Sequence, residues 1–258
     1  MSPTLVDHDQ ADRINPGARP ANEETETAAA AHVQSIFNSI APSYDLLNHL
    51  LSMGLDRRWW NRSARTFKPI LKDPTARILD LCCGTGDLTA ALLALRPSTA
   101  EPITGLDFSA QMLARARDKF PAANVLWVEG DAMRLPYPDN SFDLVTSAFG
   151  FRNLTNYTAA LTEIHRVLAP NGQIGILECN QPGGFSGLLY NLHLHHILPL
   201  VGGLISGDRA AYRYLPASIA RFPRPPQMLS MLSVAGFTQA AWDGYFLQAA
   251  GLYRATKM

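Results

Sequence analysis

Within residues 79–87, Leu-Asp-Leu-Cys-Cys-Gly-Thr-Gly-Asp, the carboxylates Asp80 and Asp87 flank a turn built on Gly84 and Gly86. Lacking Cβ atoms, the two glycines let the backbone turn sharply and come close to a ligand, and the acids favour a cationic one. Asp107 closes a second apolar run, Ile103-Thr104-Gly105-Leu106, where a carboxylate suits the vicinal hydroxyls of a ribose. Glu129-Gly130-Asp131-Ala132 follows a third run, and Asp131 with the backbone N–H of Ala132 can hydrogen-bond an adenine edge beneath a loop shaped by Leu135-Pro136 and Pro138. Each motif alone is an ordinary turn. Standing at the carboxyl ends of three successive strands, they describe a nucleoside site.

The ligand is narrowed by what is absent. A dinucleotide fingerprint needs a third glycine three positions beyond Gly86, and Thr89 stands there. No Gly-Lys-Ser/Thr follows the turn, and its acids would repel a phosphate. S-adenosylmethionine has a ribose, an adenine, cationic amino and sulfonium groups and no phosphate, and is the cofactor expected.

The elements that must position these residues alternate as in an α/β doubly wound sheet. Strands are expected at 77–81, 103–107, 124–128, 142–146 and 173–177, the last after the turn Pro170-Asn171-Gly172, then around 237–242 and 248–255, seven in all. Helices are expected from Asp87, after Ser109 as N-cap, over 158–168 and over 228–235 before Gly236. His165 lies off the apolar stripe of Leu161, Ile164, Val167 and Leu168, and reads as a surface or capping residue. Ahead of the cofactor domain, which begins near Pro74, two helices are expected, one on Val33, Ile36, Phe37 and Ile40, the other, after Pro42, on Leu46, Leu47, Leu50 and Leu51. The segment Asp56-Arg57-Arg58-Trp59-Trp60 reads as helix packing with a solvated basic edge. Residues 1–31, polar and acidic with no apolar core of a signal peptide, read as a disordered tail before a domain over 32–258.

Of the 258 residues 47% are hydrophobic, enough for a single core, and 22 basic residues balance 22 acidic ones. No basic field draws nucleic acid. Three cysteines, two of them adjacent, provide no disulfide framework and fit a reducing, cytoplasmic setting.

Several blocks are more specific than the glycine turn: Tyr44-Asp45-Leu46-Leu47-Asn48, the run from Leu135 to Asp143, Phe149-Gly150-Phe151-Arg152-Asn153, and Tyr212-Arg213-Tyr214-Leu215 with Ser218-Ile219. With these the chain, from about His32 onward, resembles the quinone-pathway C-methyltransferases of the UbiE/MenG type, a family of class I S-adenosylmethionine-dependent methyltransferases with a Rossmann-like seven-stranded sheet, helices on both faces, N-terminal helices and an apolar lid. The resemblance implies a cofactor site using Thr85 in the turn, Asp107 at the ribose, and Asp131 with Ala132 at the adenine. Ala148 stands where the family often has serine, which leaves it a backbone contact. Cys82 and Cys83 replace usual small residues and read as packing.

Methylating a ring carbon needs a carbon nucleophile, which a quinol becomes on losing a hydroxyl proton. A phenol titrates near 10, so forming the phenolate at pH 7 costs about 4 kcal/mol unless the site helps. Arg152 stays protonated and is expected to stabilise the oxyanion directly or through a water. Asn153 would orient that water or the other quinol oxygen, and Tyr44 would close the pocket.

Residues 185–206 are uncharged and apolar but interrupted by Asn191, His193, His195, His196, Pro199 and the Gly202-Gly203 pair, which excludes a membrane span. They read either as a lid dipping into the membrane interface over the prenyl tail or as a plain core helix, within a cap insertion over 185–222. The histidines lack the i, i+4 spacing of a zinc helix, and no metal is expected; His196 is a candidate proton acceptor for the quinol. Asp208, Tyr212 and Tyr214 are expected in the far wall of the substrate pocket. The activity expected is C-methylation of a prenylated quinol, demethylmenaquinol to menaquinol, with the methoxy-benzoquinol intermediate of ubiquinone synthesis as an alternative or second substrate. A non-catalytic cofactor-binding scaffold is the competing class. A homodimer and a peripheral place at the inner membrane face complete the expectation.

Overall fold

The computed structural model describes residues 17–18, 25–41, 49, 52, 54–183 and 209–258. Helices α1 (Glu26–Ile40), α2 (Asp56–Thr66) and the single turn α3 (Lys68–Leu71) precede the sheet. Then β1 (Ile78–Leu81), α4 (Asp87–Leu93), β2 (Ile103–Asp107), α5 (Ala110–Lys119), β3 (Val125–Glu129) and β4 (Phe142–Ala148) follow. A 3-10 turn, Phe151–Asn153, leads into α6 (Tyr157–Val167) and β5 (Leu168–Cys179). The chain ends with α7 (Arg209–Arg221), α8 (Pro225–Val234), β6 (Phe237–Tyr245) and β7 (Ala250–Lys257).

The seven strands form one sheet in the order β3-β2-β1-β4-β5-β7-β6. The first five are parallel, and β7 runs antiparallel between β5 and β6. Period-two alternation sorts the central strands into two layers. Leu79, Leu81, Val145, Ile174 and Ile176 pack with Leu161, Ile164 and Val167 of α6 and Met228 and Leu232 of α8. Ile78, Leu144 and Leu177 face the other way, against Trp59, Trp60, Phe67, Leu88 and Leu92. Gly175 makes room for this second layer: a Cβ there would lie 2.4 Å from the Phe67 ring. Both tryptophans are buried while Arg57 and Arg58 are exposed, the arrangement expected of that segment.

Three boundaries differ from the sequence reading, each for a local reason. Helix α1 begins at Glu26, inside the stretch expected to be a tail, because Thr25 caps it by accepting from Ala28 N at 3.2 Å and four alanines supply helix propensity without a large apolar stripe. Upstream, Ala18 N donates to Leu154 O at 2.7 Å. The expected turn at 170–172 lies within β5, where Asn171 at φ +65° interrupts the ladder between the pairings Phe142 with Leu168 and Leu144 with Gln173. Helix α8 starts at Pro225, a residue suited to a first turn that has no N–H to satisfy, and ends before Gly236 at φ +94°. His165 packs edge-on against Phe237, ring centroids 5.1 Å apart. Leu46, Leu47, Leu50 and Leu51 of the expected second helix and the lid at 185–206 lie outside the described residues. Among the described residues no helix is long and apolar enough to cross a membrane.

Candidate active site

The carboxyl ends of β1 to β4 open into a cavity of about 600 Å³. Its floor is Gly84, Asp107, the run Glu129 to Met133, Gly150 and Asn153; its roof is α1, through Thr27, Ala30, Ala31, Val33, Gln34 and Phe37. Gln34 Nε2 donates to Phe108 O at 2.6 Å, Ser109 Oγ bonds Asn38 Oδ1 at 2.6 Å, and Phe37 meets Phe108 edge-on. Ser109 also caps α5 as expected, accepting from Met112 N at 3.2 Å. The sequence reading missed this roof; the signal for it is the pair Gln34 and Asn38, one turn apart on the helix.

The turn after β1 has the backbone that its glycines allow. Gly84 and Gly86 stand at φ +55° and +87°, and a Cβ on Gly86 would lie 2.6 Å from Trp127. Gly86 therefore shapes the turn rather than lining the large cavity. Gly84 N donates to Asp107 Oδ2 at 2.9 Å, tying the β1 turn to the end of β2. Beside it a small recess is lined by Trp60, Asp80, Thr85, Asp87, Ala148 and Phe149. Thr85 Oγ1 donates to Asp87 Oδ2 at 3.2 Å, and Lys119 Nζ meets Asp87 Oδ1 at 2.8 Å.

Asp80 is fully buried, and both of its oxygens are engaged: Thr89 Oγ1 donates at 2.6 Å and Thr146 Oγ1 at 2.7 Å. Thr89, the residue in place of a third glycine, is thus the clamp on this carboxyl. Burial pushes Asp80 up to about 7 against the pull of these two hydroxyls. Burial likewise raises Asp107 to about 6, opposed by hydrogen bonds from the Ser109, Gly84 and Phe108 backbones. A positive ligand charge beside them would recover what burial costs. The thiols of Cys82 and Cys83 are also pushed well above their usual value by burial. Cys82 packs so closely on Gly150 that a Cβ there would lie 2.3 Å away.

Asp131 and Ala132 reach the cavity, Asp131 Oδ1 accepting from Met133 N at 2.9 Å. Asn153 also lines it. Arg152 is not among the residues lining the large cavity. Its guanidinium is buried behind the turn, with Nη1 2.6 Å from Glu178 Oε1 and also donating to Phe149 O. Glu178 in turn accepts from Arg152 N at 3.1 Å and Cys179 N at 2.8 Å. A buried cation needs a counter-charge, and Glu178 supplies it. Tyr214 meets Asn153, its hydroxyl donating to Oδ1 at 3.0 Å. Tyr44, His196, Asp208 and the Tyr212 side chain lie outside the described residues.

Among the described residues the large cavity is lined by the acids Asp107, Glu129 and Asp131 and by no lysine or arginine. Such a surface disfavours phosphates and fits a cationic nucleoside.

Comparison with known proteins agrees. The profile of the ubiE/COQ5 methyltransferase family matches residues 24–257. A demethylmenaquinone methyltransferase of Thermus thermophilus is 48% identical over 206 residues, covering 79% of this chain and 91% of its own. The ubiquinone/menaquinone biosynthesis C-methyltransferase UbiE of a Ruegeria species is 36% identical, covering 90% and 93%. A crystal structure of a SAM-dependent methyltransferase from Aquifex aeolicus superposes with a TM-score of 0.55 at 17% identity, covering 76% and 89%, and shares the fold.

Proposed function

Since the chain belongs to the ubiE/COQ5 methyltransferase family and is an S-adenosylmethionine-dependent methyltransferase, we propose that it C-methylates the ring of a prenylated quinol, demethylmenaquinol giving menaquinol. The observation that carries the cofactor half is the acid-lined, cation-free cavity at the strand ends. Asp107 would hold the ribose hydroxyls, and Asp131 with the Ala132 N–H the adenine edge. Asp80, with both oxygens held by threonines, would act by charge on the amino group, and Thr85 and Ala148 would line that end.

When bound, S-adenosylmethionine supplies an electrophilic methyl group on sulfur. The protein must supply an electron-rich ring carbon facing it. Losing the hydroxyl proton pushes charge onto the neighbouring ring carbon, which bonds the methyl group as its S–C bond breaks and then gives up its own proton; the net products are methylated quinol, S-adenosylhomocysteine and one proton. Asn153 lines the cavity, and its amide N–H would stabilise the oxygen where charge gathers. Arg152, paired with Glu178, would keep the turn carrying Asn153 in place. Roofing by α1 would limit the access of water and favour alignment of the reacting atoms. A prenyl tail partitions into lipid, so we place the encounter with substrate at a membrane surface, with the enzyme bound peripherally.

The relative named for both quinone pathways gives the benzoquinol intermediate a place in the test. Purified protein is supplied with S-adenosylmethionine and each quinol under reducing conditions. The expected result is a kcat/KM for demethylmenaquinol about tenfold or more above that for the benzoquinol. The reverse ratio would move the assignment to the other ring, and methylation of neither would overturn it.

A further inference from the structure

The orientation of the Asn153 amide is fixed from two sides. Phe149 O can only accept, and Asn153 Nδ2 donates to it at 3.4 Å. Tyr214 Oη donates to Oδ1 at 3.0 Å from helix α7, 61 residues away in sequence. With the carbonyl end occupied by a donor and one amide proton on Phe149 O, the second proton of Nδ2 is the group left for a ligand oxygen in the cavity that Asn153 lines. The geometry points to Tyr214 as a positioning residue for methyl transfer, acting through Asn153 rather than on the substrate. This role rests on the quinol reading above and deepens it.

The chemistry suits the task. An amide whose oxygen faced the cavity would repel an oxygen gathering negative charge; one whose nitrogen faces it stabilises that charge. Burial, opposed by Arg152 and Arg221, moves Tyr214 up to about 12, so its hydroxyl remains a donor throughout the working range. Arg221 lies over the Tyr214 ring, 5.9 Å from its centroid, and holds the ring on α7. Tyr214 is expected from the sequence in the wall of the substrate pocket. Its hydroxyl bonds Asn153, which lines the cavity.

The test is a double-mutant cycle on the full chain, with turnover of demethylmenaquinol and calorimetric cofactor affinity measured for wild type, Tyr214→Phe, Asn153→Ala and the double variant. Tyr214→Phe is expected to lower kcat about tenfold with little change in KM or in cofactor affinity, because the bond matters most as charge develops. In the Asn153→Ala background the same change is expected to cost less than about twofold. Equal losses in both backgrounds would mean that Tyr214 touches the substrate itself, and would overturn the proposal. Asn153→Ala is read independently: turnover within about twofold of wild type overturns the proposal whether or not the phenylalanine variant folds. Absence of turnover by the wild-type protein overturns the quinol assignment itself, a failure distinct from an additive cycle in an active enzyme.

Discussion

Arg152 is 5% exposed and Glu178 not at all, so each charge depends on the other. Removing one partner of such a pair strands the other in a low-dielectric site. Glu178→Ala is expected to destabilise the protein by about 3–5 kcal/mol in urea unfolding. Glu178→Gln, which removes the charge and keeps a carbonyl acceptor for only one of the Arg152 and Cys179 backbone N–H groups, should cost nearly as much; a much smaller cost would mean that charge pairing is not what holds the turn. Arg152 and Asn153 were legible as a pair because their block is narrow, but their division of labour was not. Glu178 lies 26 residues on from Arg152, and only a carboxylate inside the apolar run of β5 signalled that a buried cation was near. Asp107 and Asp131 were legible because one is the last residue of β2 and the other stands two positions beyond β3, so strand position carries both to the cavity.

At the scale of elements, the turn between β1 and α4 carries the most strain-sensitive position. Gly86 combines φ +87° with a contact to Trp127 that leaves no room for a methyl group. Gly86→Ala should destabilise the protein by about 1–3 kcal/mol and weaken cofactor binding together, through strain and overpacking. Unchanged thermal unfolding and affinity in that variant would show that the turn tolerates another backbone. The strands were legible because each central one is a short apolar run between turn residues, and β3 was found even though its residues are half-buried or, at Leu126 and Glu129, exposed. Helix α1 was legible only in its second half, since Val33, Ile36 and Phe37 mark a stripe whereas the alanines before them mark only propensity. Its place over the cavity depends on contacts with Phe108 and Ser109, more than 70 residues away, which no local pattern encodes.

For the whole molecule, equal numbers of acidic and basic residues conceal an uneven distribution: carboxylates gather at the strand ends, and burial holds Asp80 at about 7 and Asp107 at about 6. Both values lie above that of a free carboxyl, so between them and that value the folded apo protein holds protons that the unfolded chain has released. This contribution stabilises the apo fold at low pH and is lost as pH rises through about 6 to 7. A cationic ligand reverses the balance by favouring the ionised carboxylates, so binding should expel protons in that window. The measurement that tests this most directly is titration calorimetry of S-adenosylmethionine into the protein, in buffers of different ionisation heat and across that pH range. Net proton release is expected, with affinity rising by up to about tenfold per pH unit for each proton expelled. Absence of binding heat, or affinity that falls as pH rises from 6 to 7, would contradict the assignment of this acid-lined cavity to a sulfonium nucleoside.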